Sequence, residues 1–344
     1  MNKRLTLISK LTLSTGLQHG IVHGATALAL LLSILTVAYA QAQPSTLYPS
    51  KPVTILVGSA AGGSNDTFAR AISKPLQELL GQSFIVENKP AAGGILANNI
   101  LAKSAPDGYT IAVVSSTFTT GAAIRDNLPY DAIKSFTPVA MLAKGPLLIT
   151  VSPHTPFMHI DELVSYARKH PGKLNYGTSG VGSINQFATE LFADAAQIKL
   201  THVPYKGMNP AMTDLIGGQI DLLIASAPSL LGQVNSQKIR ALSVTTESRS
   251  EIIPQLPSAT ELGYPQSAVD LWWGVIAPAG IPPEITQKLN LTINQVIASQ
   301  AMQEFFLKEG AKAAPSSAAL FKTHIQEEIK RWKHVAQKAN IQAD

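Results

Sequence analysis

The stretch VTILVGSAAGGSNDTFARAISKPLQELLG, residues 53–81, decides how the chain is read. Its first five residues are apolar or β-branched and predict a buried strand. A glycine-rich turn, 58–66, follows, after which Phe68, Ile72, Leu76, Leu79 and Leu80 recur at helical spacing. Gly81 stops that helix, and Pro75 is expected to kink it. A strand that runs through glycines straight into a helix is the repeating unit of an α/β sheet.

The unit recurs along the chain. Residues 84–86 predict a strand, 88–94 a second turn with an echoing "AAGG", and 95–102 a helix. Pro106-Asp107-Gly108 turns into a strand at 109–114. Further on, 147–151 and 173–176 predict strands and 160–168 a helix. The run Gly177-Thr178-Ser179-Gly180-Val181-Gly182-Ser183 then opens a helix with Ile184, Phe187, Ala188, Leu191 and Phe192 on one face. This alternation predicts parallel sheets covered on both faces. Residues 282–310 supply two more helices, the first opened by Pro282-Pro283-Glu284. A last helix over 320–339 should turn Leu320, Ile325, Ile329, Trp332 and Ala336 inward. Its outward face should carry Glu327, Glu328, Lys330, Arg331 and Lys333 as a solvated charge run.

Of 344 residues, 45% are hydrophobic and 14% charged, which excludes disorder and leaves ample chain for two packed domains. There is no cysteine, so disulfides, cysteine-ligated metals, thiol nucleophiles and a lipid-anchored N-terminus are excluded. Residues 1–40 hold Lys3, Arg4 and Lys10, no acid, an apolar run over 25–38 and the small-x-small site Ala38-Tyr39-Ala40. Together these read as a secretory signal peptide cut after Ala40. The alternative, an uncleaved anchor, needs an apolar run of about 20 residues, longer than the strongly apolar part here. Removing the segment lowers the net charge from +5 to +2, which gives no electrostatic case for nucleic acid.

Signatures of catalysis are missing. No histidine pair has the spacing of a zinc site, so no metal and no cofactor is expected. Gly177-Thr178-Ser179-Gly180-Val181 lacks the last glycine of a nucleophile elbow, and 58–64 has no Walker lysine. A triad assembled from distant residues leaves no mark in sequence, so a periplasmic hydrolase stays open as an alternative to a binding protein.

What remains are the two turns, 58–66 and 177–183. Glycines allow close backbone approach, and a helix N-terminus presents unpaired N–H groups to an anion. Ser59, Ala61, Gly62, Gly63 and Ser64 in the first turn, and Thr178, Ser179, Gly180 and Ser183 in the second, are therefore the candidate ligand contacts. Either turn alone reads more readily as an ordinary capped connection; two of them in one α/β chain point instead to an anion clasped in a cleft. Asp66 either meets the ligand or, the favoured role, braces its turn by accepting N–H bonds.

The chain as a whole resembles the Bug/TctC family, the extracytoplasmic solute receptors of tripartite tricarboxylate transporters. The resemblance begins with YPSKPVTILVGSAAGGSNDTFARAISKPLQELLGQSFIVENKPAAGG and runs through APDGYT, NLPYDAIKSFTPVAML and HPGKLNYGTSGVGS. It continues through HVPYKGMNPAMTDLIGGQID, IRALSVTTESRS and WWGVIAPAGIPPEI, covering about residues 48–342. It implies a periplasmic-binding-protein fold of type II: two α/β lobes, crossed twice by the chain, closing on ligand like a Venus flytrap. Carried onto this chain, lobe 1 is 41–146 plus 271–344 and lobe 2 is 147–270, with crossings near Gly145-Pro146 and Trp272-Trp273-Gly274.

The resemblance also implies a carboxylate held by both turns, with Ser115, Ser116 and Thr117, at the end of the third strand and just after it, placed to line the pocket. Tyr205 either reaches the cleft or braces the lobe, Lys206 either reaches it or is solvated, and the tryptophan pair either packs or faces ligand. Two departures stand out. Gly58-Ser59 replaces a usual Pro-Phe, and Ala225-Ser226 replaces a common Asp-Asn, which puts Ser226 among the candidate contacts. With Gly, Ala and Ser where relatives place a ring, an acid and an amide, the expected ligand is a small organic carboxylate without an amino group. The implied partners are the permease subunits of such a transporter, the chain itself acting as a monomer in the periplasm. Output to a sensor kinase is the alternative.

Overall fold

The computed structural model describes residues 48–338 and 340–343. The expected signal peptide and its cleavage site lie outside the described residues. Strand β1 (Val53–Val57) is buried between two parallel neighbours, β2 (Phe84–Asn88) and β3 (Thr110–Ser115). Helix α1 (Ser64–Leu80) follows β1, α2 (Ile95–Ala102) follows β2, and α3 (Thr117–Ala123) follows β3. Pro75 stays inside α1, which runs unbroken to the left-handed Gly81 (φ 74°).

A single long strand, β4 (Phe136–Val151), organises the rest. Its residues 136–146 pair antiparallel with β9 (Asp270–Pro278), which in turn pairs antiparallel with β3. From Leu147 onward β4 changes partners and lies between β7 (Leu222–Ser226) and β8 (Arg240–Val244). Parallel to β7 runs β5 (Asn175–Thr178), followed by β6 (Thr201–Pro204). The short β10 (Lys312–Ala313) pairs with β4 at Lys144. The expected all-parallel sheets are therefore mixed. The two strands that connect the halves of the molecule run antiparallel to their neighbours.

Helices α4 (Ile160–Lys169), α5 (Ile184–Ala196), α6 (Met208–Ile216) and α7 (Ala227–Asn235) belong with the second sheet. Its core gathers Leu148, Ala211, Leu215, Leu223 and Leu230, all fully buried. Helices α8 (Pro283–Ala298), α9 (Gln300–Lys308) and α10 (Ala318–Lys338) return to the first sheet. There Phe321, Ile325 and Ile329 of α10 pack with Trp272 and Leu56. Close backbone packing at Gly274 explains the glycine: a Cβ there would stand 2.3 Å from the Phe321 ring.

Two sequence expectations for α10 fail. Leu320 is 67% exposed, its inward place taken by Phe321. Glu328, expected on the solvated face, is buried. One of its carboxylate oxygens, Oε2, accepts from Trp332 Nε1 at 2.7 Å, Trp272 Nε1 at 3.2 Å and Thr119 Oγ1 at 3.3 Å. Three donors from α10, β9 and α3 stabilise a charge whose burial would otherwise be costly. The other four charged residues of that face are exposed as expected.

Candidate functional site

The first turn is built from β1 outward. Gly63 N–H donates to Ala60 O (3.2 Å), and Gly62 sits at φ 81° with its N–H on Asp66 Oδ2 (2.9 Å). Asp66 also accepts from Arg70 Nε (3.0 Å to each oxygen) and Asn88 Nδ2 (2.9 Å). Burial pushes its carboxyl upward. The Arg70 guanidinium, the Gly62 N–H and the Asn88 amide outweigh that and hold it below the ordinary aspartate value. Asp66 is thus an ionised brace for the turn.

Gly63 caps α1 without any side-chain cap bond. The N–H groups of Ser64, Asn65 and Asp66 accordingly find no acceptor among the described residues and form an anion-seeking helix end. Beside them, Ser59 Oγ and Asn65 Oδ1 are buried without a partner. The turn after β2 backs onto this one: a Cβ on Gly58 would fall 2.6 Å from Gly94 Cα. Glycine at 58 fits that close approach.

In the second turn Ser183 caps α5, again with no cap bond from its side chain, and its buried Oγ has no partner. Ser179 Oγ donates to Asn185 Oδ1 (2.8 Å), and Asn185 Nδ2 donates to Ile224 O of β7 (2.9 Å). Asn185 thereby fixes the Ser179 hydroxyl against the sheet. Thr178 Oγ1 accepts the Gly180 N–H and shares a 2.7 Å bond with His202 Nε2. Tyr205 donates its hydroxyl to Asp214 Oδ2 at 2.7 Å. Burial and that carboxylate push the phenol up to about 12.

Between the two turns lies a cavity of about 680 Å³. Of the sequence-derived candidates, Ser59, Gly63, Ser64, Thr117, Ser179, Gly180, Tyr205 and Ser226 line it. Ala61, Gly62, Asp66, Ser116, Thr178 and Ser183 do not; they shape or brace the turns around it. Ser116, for example, accepts the Trp272 N–H on its hydroxyl (3.1 Å). Tyr205 both faces the cavity and braces its lobe, and exposed Lys206 reaches the rim. Neither tryptophan of the pair lines it; both indoles are buried.

Several lining residues carried no signal in sequence: Asn98, Asn185, Ser229 and Arg125; Asn65 lay within the first turn but was not among the candidate contacts. Amides and a lone arginine outside any motif read as side chains that face water until the fold gathers them. The Ser226 and Ser229 hydroxyls lie 2.9 Å apart at the far end of β7. Val113, Val114, Phe118, Ile184 and Met208 supply apolar wall. No aspartate or glutamate is among the described residues lining this cavity, whereas a second cavity of about 430 Å³, behind β4 and β9, carries Glu247, Asp270 and Glu328. Nor do the described residues hold three or more metal-ligating side chains placed for an ion. No described helix is long and apolar enough to cross a membrane.

Two α/β lobes that turn their helix ends toward one cavity define a solute-binding protein of the periplasmic type. The comparisons agree. The model of the tripartite tricarboxylate transporter family receptor, TctC, matches residues 68–341, and the chain belongs to that family. Protein BugT of Bordetella pertussis is 33% identical over 87% of this chain and 92% of its own. The structure of R. palustris Rpa4515 with adipate is 34% identical, with a TM-score of 0.83 over 86% of this chain and 99% of that one. MatC from Rhodopseudomonas palustris with bound malate is 31% identical, with a TM-score of 0.79 over 84% and 99%. The family is one of receptors that hold solutes, not of enzymes.

Proposed function

We propose that this chain captures a small organic carboxylate lacking an amino group and delivers it to the permease of a tripartite tricarboxylate-type transporter. The observation that carries the reading is the cavity itself: the α1 helix end with unpaired N–H groups on one side and no acid among the described residues of the wall. A carboxylate entering it meets N–H groups, hydroxyls and amides. An ammonium entering it meets no carboxylate, only neutral acceptors such as Asn65 Oδ1 and the serine hydroxyls, which offset its desolvation less well. That similar chains hold adipate and malate, neither of which carries an ammonium, supports the same class.

On this reading Ser59, Gly63, Ser64, Thr117, Ser179, Gly180, Tyr205 and Ser226 touch the ligand, and Ala61, Gly62, Asp66, Ser116, Thr178 and Ser183 hold the turns in place. Lobe 1 comprises 41–146 and 271–344, and lobe 2 comprises 147–270; the change of β4 partners after Pro146 supports that limit. The chain works in the periplasm as a monomer after cleavage following Ala40. A thermal-shift screen of the purified mature chain against small carboxylates tests the reading. A ligand present at 100 times its Kd stabilises by about 2.7 kcal/mol, and a panel of mono-, di- and tricarboxylates that moves no melting temperature would contradict it.

A further inference from the structure

The second glycine turn has two faces, and only one of them looks into the cavity. Ser179, Gly180 and Val181 line it. The opposite face, the Val181 carbonyl, Gly182 and the Ile184 N–H, is gripped by α3 and the residues just after it, which belong with the first sheet. Arg125 Nη2 donates to Val181 O at 2.8 Å, and Thr120 Oγ1 donates to Gly182 O at 2.8 Å. Thr117 Oγ1 accepts the Ile184 N–H at 3.4 Å. Arg125 is anchored on its own side by Nη1 to Gly121 O at 3.4 Å. Gly182 sits at φ 80°, and a Cβ there would stand 2.5 Å from Arg125 Nη1 and 2.7 Å from Ile124 Cδ1. That glycine makes room for the guanidinium of the other lobe, not for a ligand.

We infer that Arg125, with Thr120, is a closure latch. It joins the lobes through the backbone of the ligand turn and sets how long the cleft stays shut. The inference rests on the solute-receptor reading but concerns lobe closure, not ligand chemistry. A hydrogen bond from a charged donor is stronger than a neutral one, and this one exists only when the lobes meet. Arg125 also lines the cavity, so its hold on the turn is read from the label distances without adipate, which loss of a direct ligand contact alone would leave unchanged.

The chain has no cysteine, so two introduced ones report closure without background. Lys103 and Lys199 lie exposed, one in the stretch assigned to each lobe, so Lys103→Cys and Lys199→Cys can carry a spin-label pair. Pulsed dipolar distances are recorded with and without adipate for the native background, Arg125→Met, Arg125→Lys and Thr120→Val. Circular dichroism checks that each variant is folded. The closed-to-open ratio should fall roughly tenfold or more in Arg125→Met. Arg125→Lys should not restore it, because a charge alone lacks the forked grip on Gly121 and Val181, and Thr120→Val should lower it as well. Where the native chain binds adipate, the dissociation rate should rise by a similar factor in Arg125→Met. Failure of adipate to bind would count against adipate as ligand, yet the label distances would still decide the latch. Identical distance distributions for native chain and variants, in both conditions, would overturn it.

Discussion

Trp273 donates its indole N–H to Ser64 Oγ at 3.1 Å, tying strand β9, where the chain passes between the two sheets, to the first residue of the helix that faces the cavity. The same indole meets Phe68 edge-on at 4.6 Å between ring centroids, and Phe68 meets Phe306 at 5.1 Å. The helix end is thus held by packing and by one directed bond, and its free N–H groups are aimed before any ligand arrives. Trp273→Phe keeps the ring contact and removes the donor. It should cost about 1–3 kcal/mol in urea unfolding and weaken ligand binding several-fold. Native affinity in a destabilised variant would show that this bond does not orient the helix end.

Gly63→Val and Gly180→Val should abolish binding while leaving a folded protein. At Gly63 a Cβ already comes within 3.2 Å of Ser59 Oγ and 3.3 Å of Ala60 O, so a branched side chain crowds the turn. At Gly180 (φ 125°) any side chain strains the backbone. Calorimetry on the two folded variants gives the answer, and unchanged affinity in both would remove the turns from the site.

Glu328→Met should destabilise the protein by about 3 kcal/mol or more. It leaves the indoles of Trp272 and Trp332 and the Thr119 hydroxyl without their shared acceptor. Chemical denaturation measures this, and a change below about 1 kcal/mol would mean water replaces the carboxylate.

Asp66 gives the stability an acid limb with a definite sign. Its folded carboxyl titrates below the ordinary value of 3.8. Its contribution is therefore complete above that value and is lost as pH falls through the lower, folded one. Asp66→Asn should be less stable than the native chain near neutral pH, and the gap should close as pH drops below about 4. A gap that stays constant down to pH 2 would contradict the ionised brace.

Much of this was legible in the sequence because strand, turn and helix follow one another locally. The units at 53–80 and 175–196 declare themselves through apolar period and glycines, and eight of the proposed contacts do line the cavity. What stayed hidden depends on distant partners. Only 147–151 of β4 read as strand, because Pro138, Lys144, Gly145 and Pro146 interrupt the apolar pattern of 136–146, which pairs with β9 far along the chain. The threonine- and glycine-bearing TFTTGAA of α3 is a poor helix former, and its contact with α10 overrides that propensity. Glu328 sits in a run of charges that reads as solvated, since its three donors come from residues 119, 272 and 332. Arg125 belongs to no motif, and its role depends on a carbonyl 56 residues away.

A carboxylate that enters the cavity meets donors, whereas an ammonium meets no carboxylate among the described lining residues. Calorimetric titration with matched pairs tests this difference most directly: succinate against aspartate, and a benzoate-type acid against its amino analogue. The member without the amino group should bind more tightly in any pair that binds. Tighter binding of the amino member would contradict it.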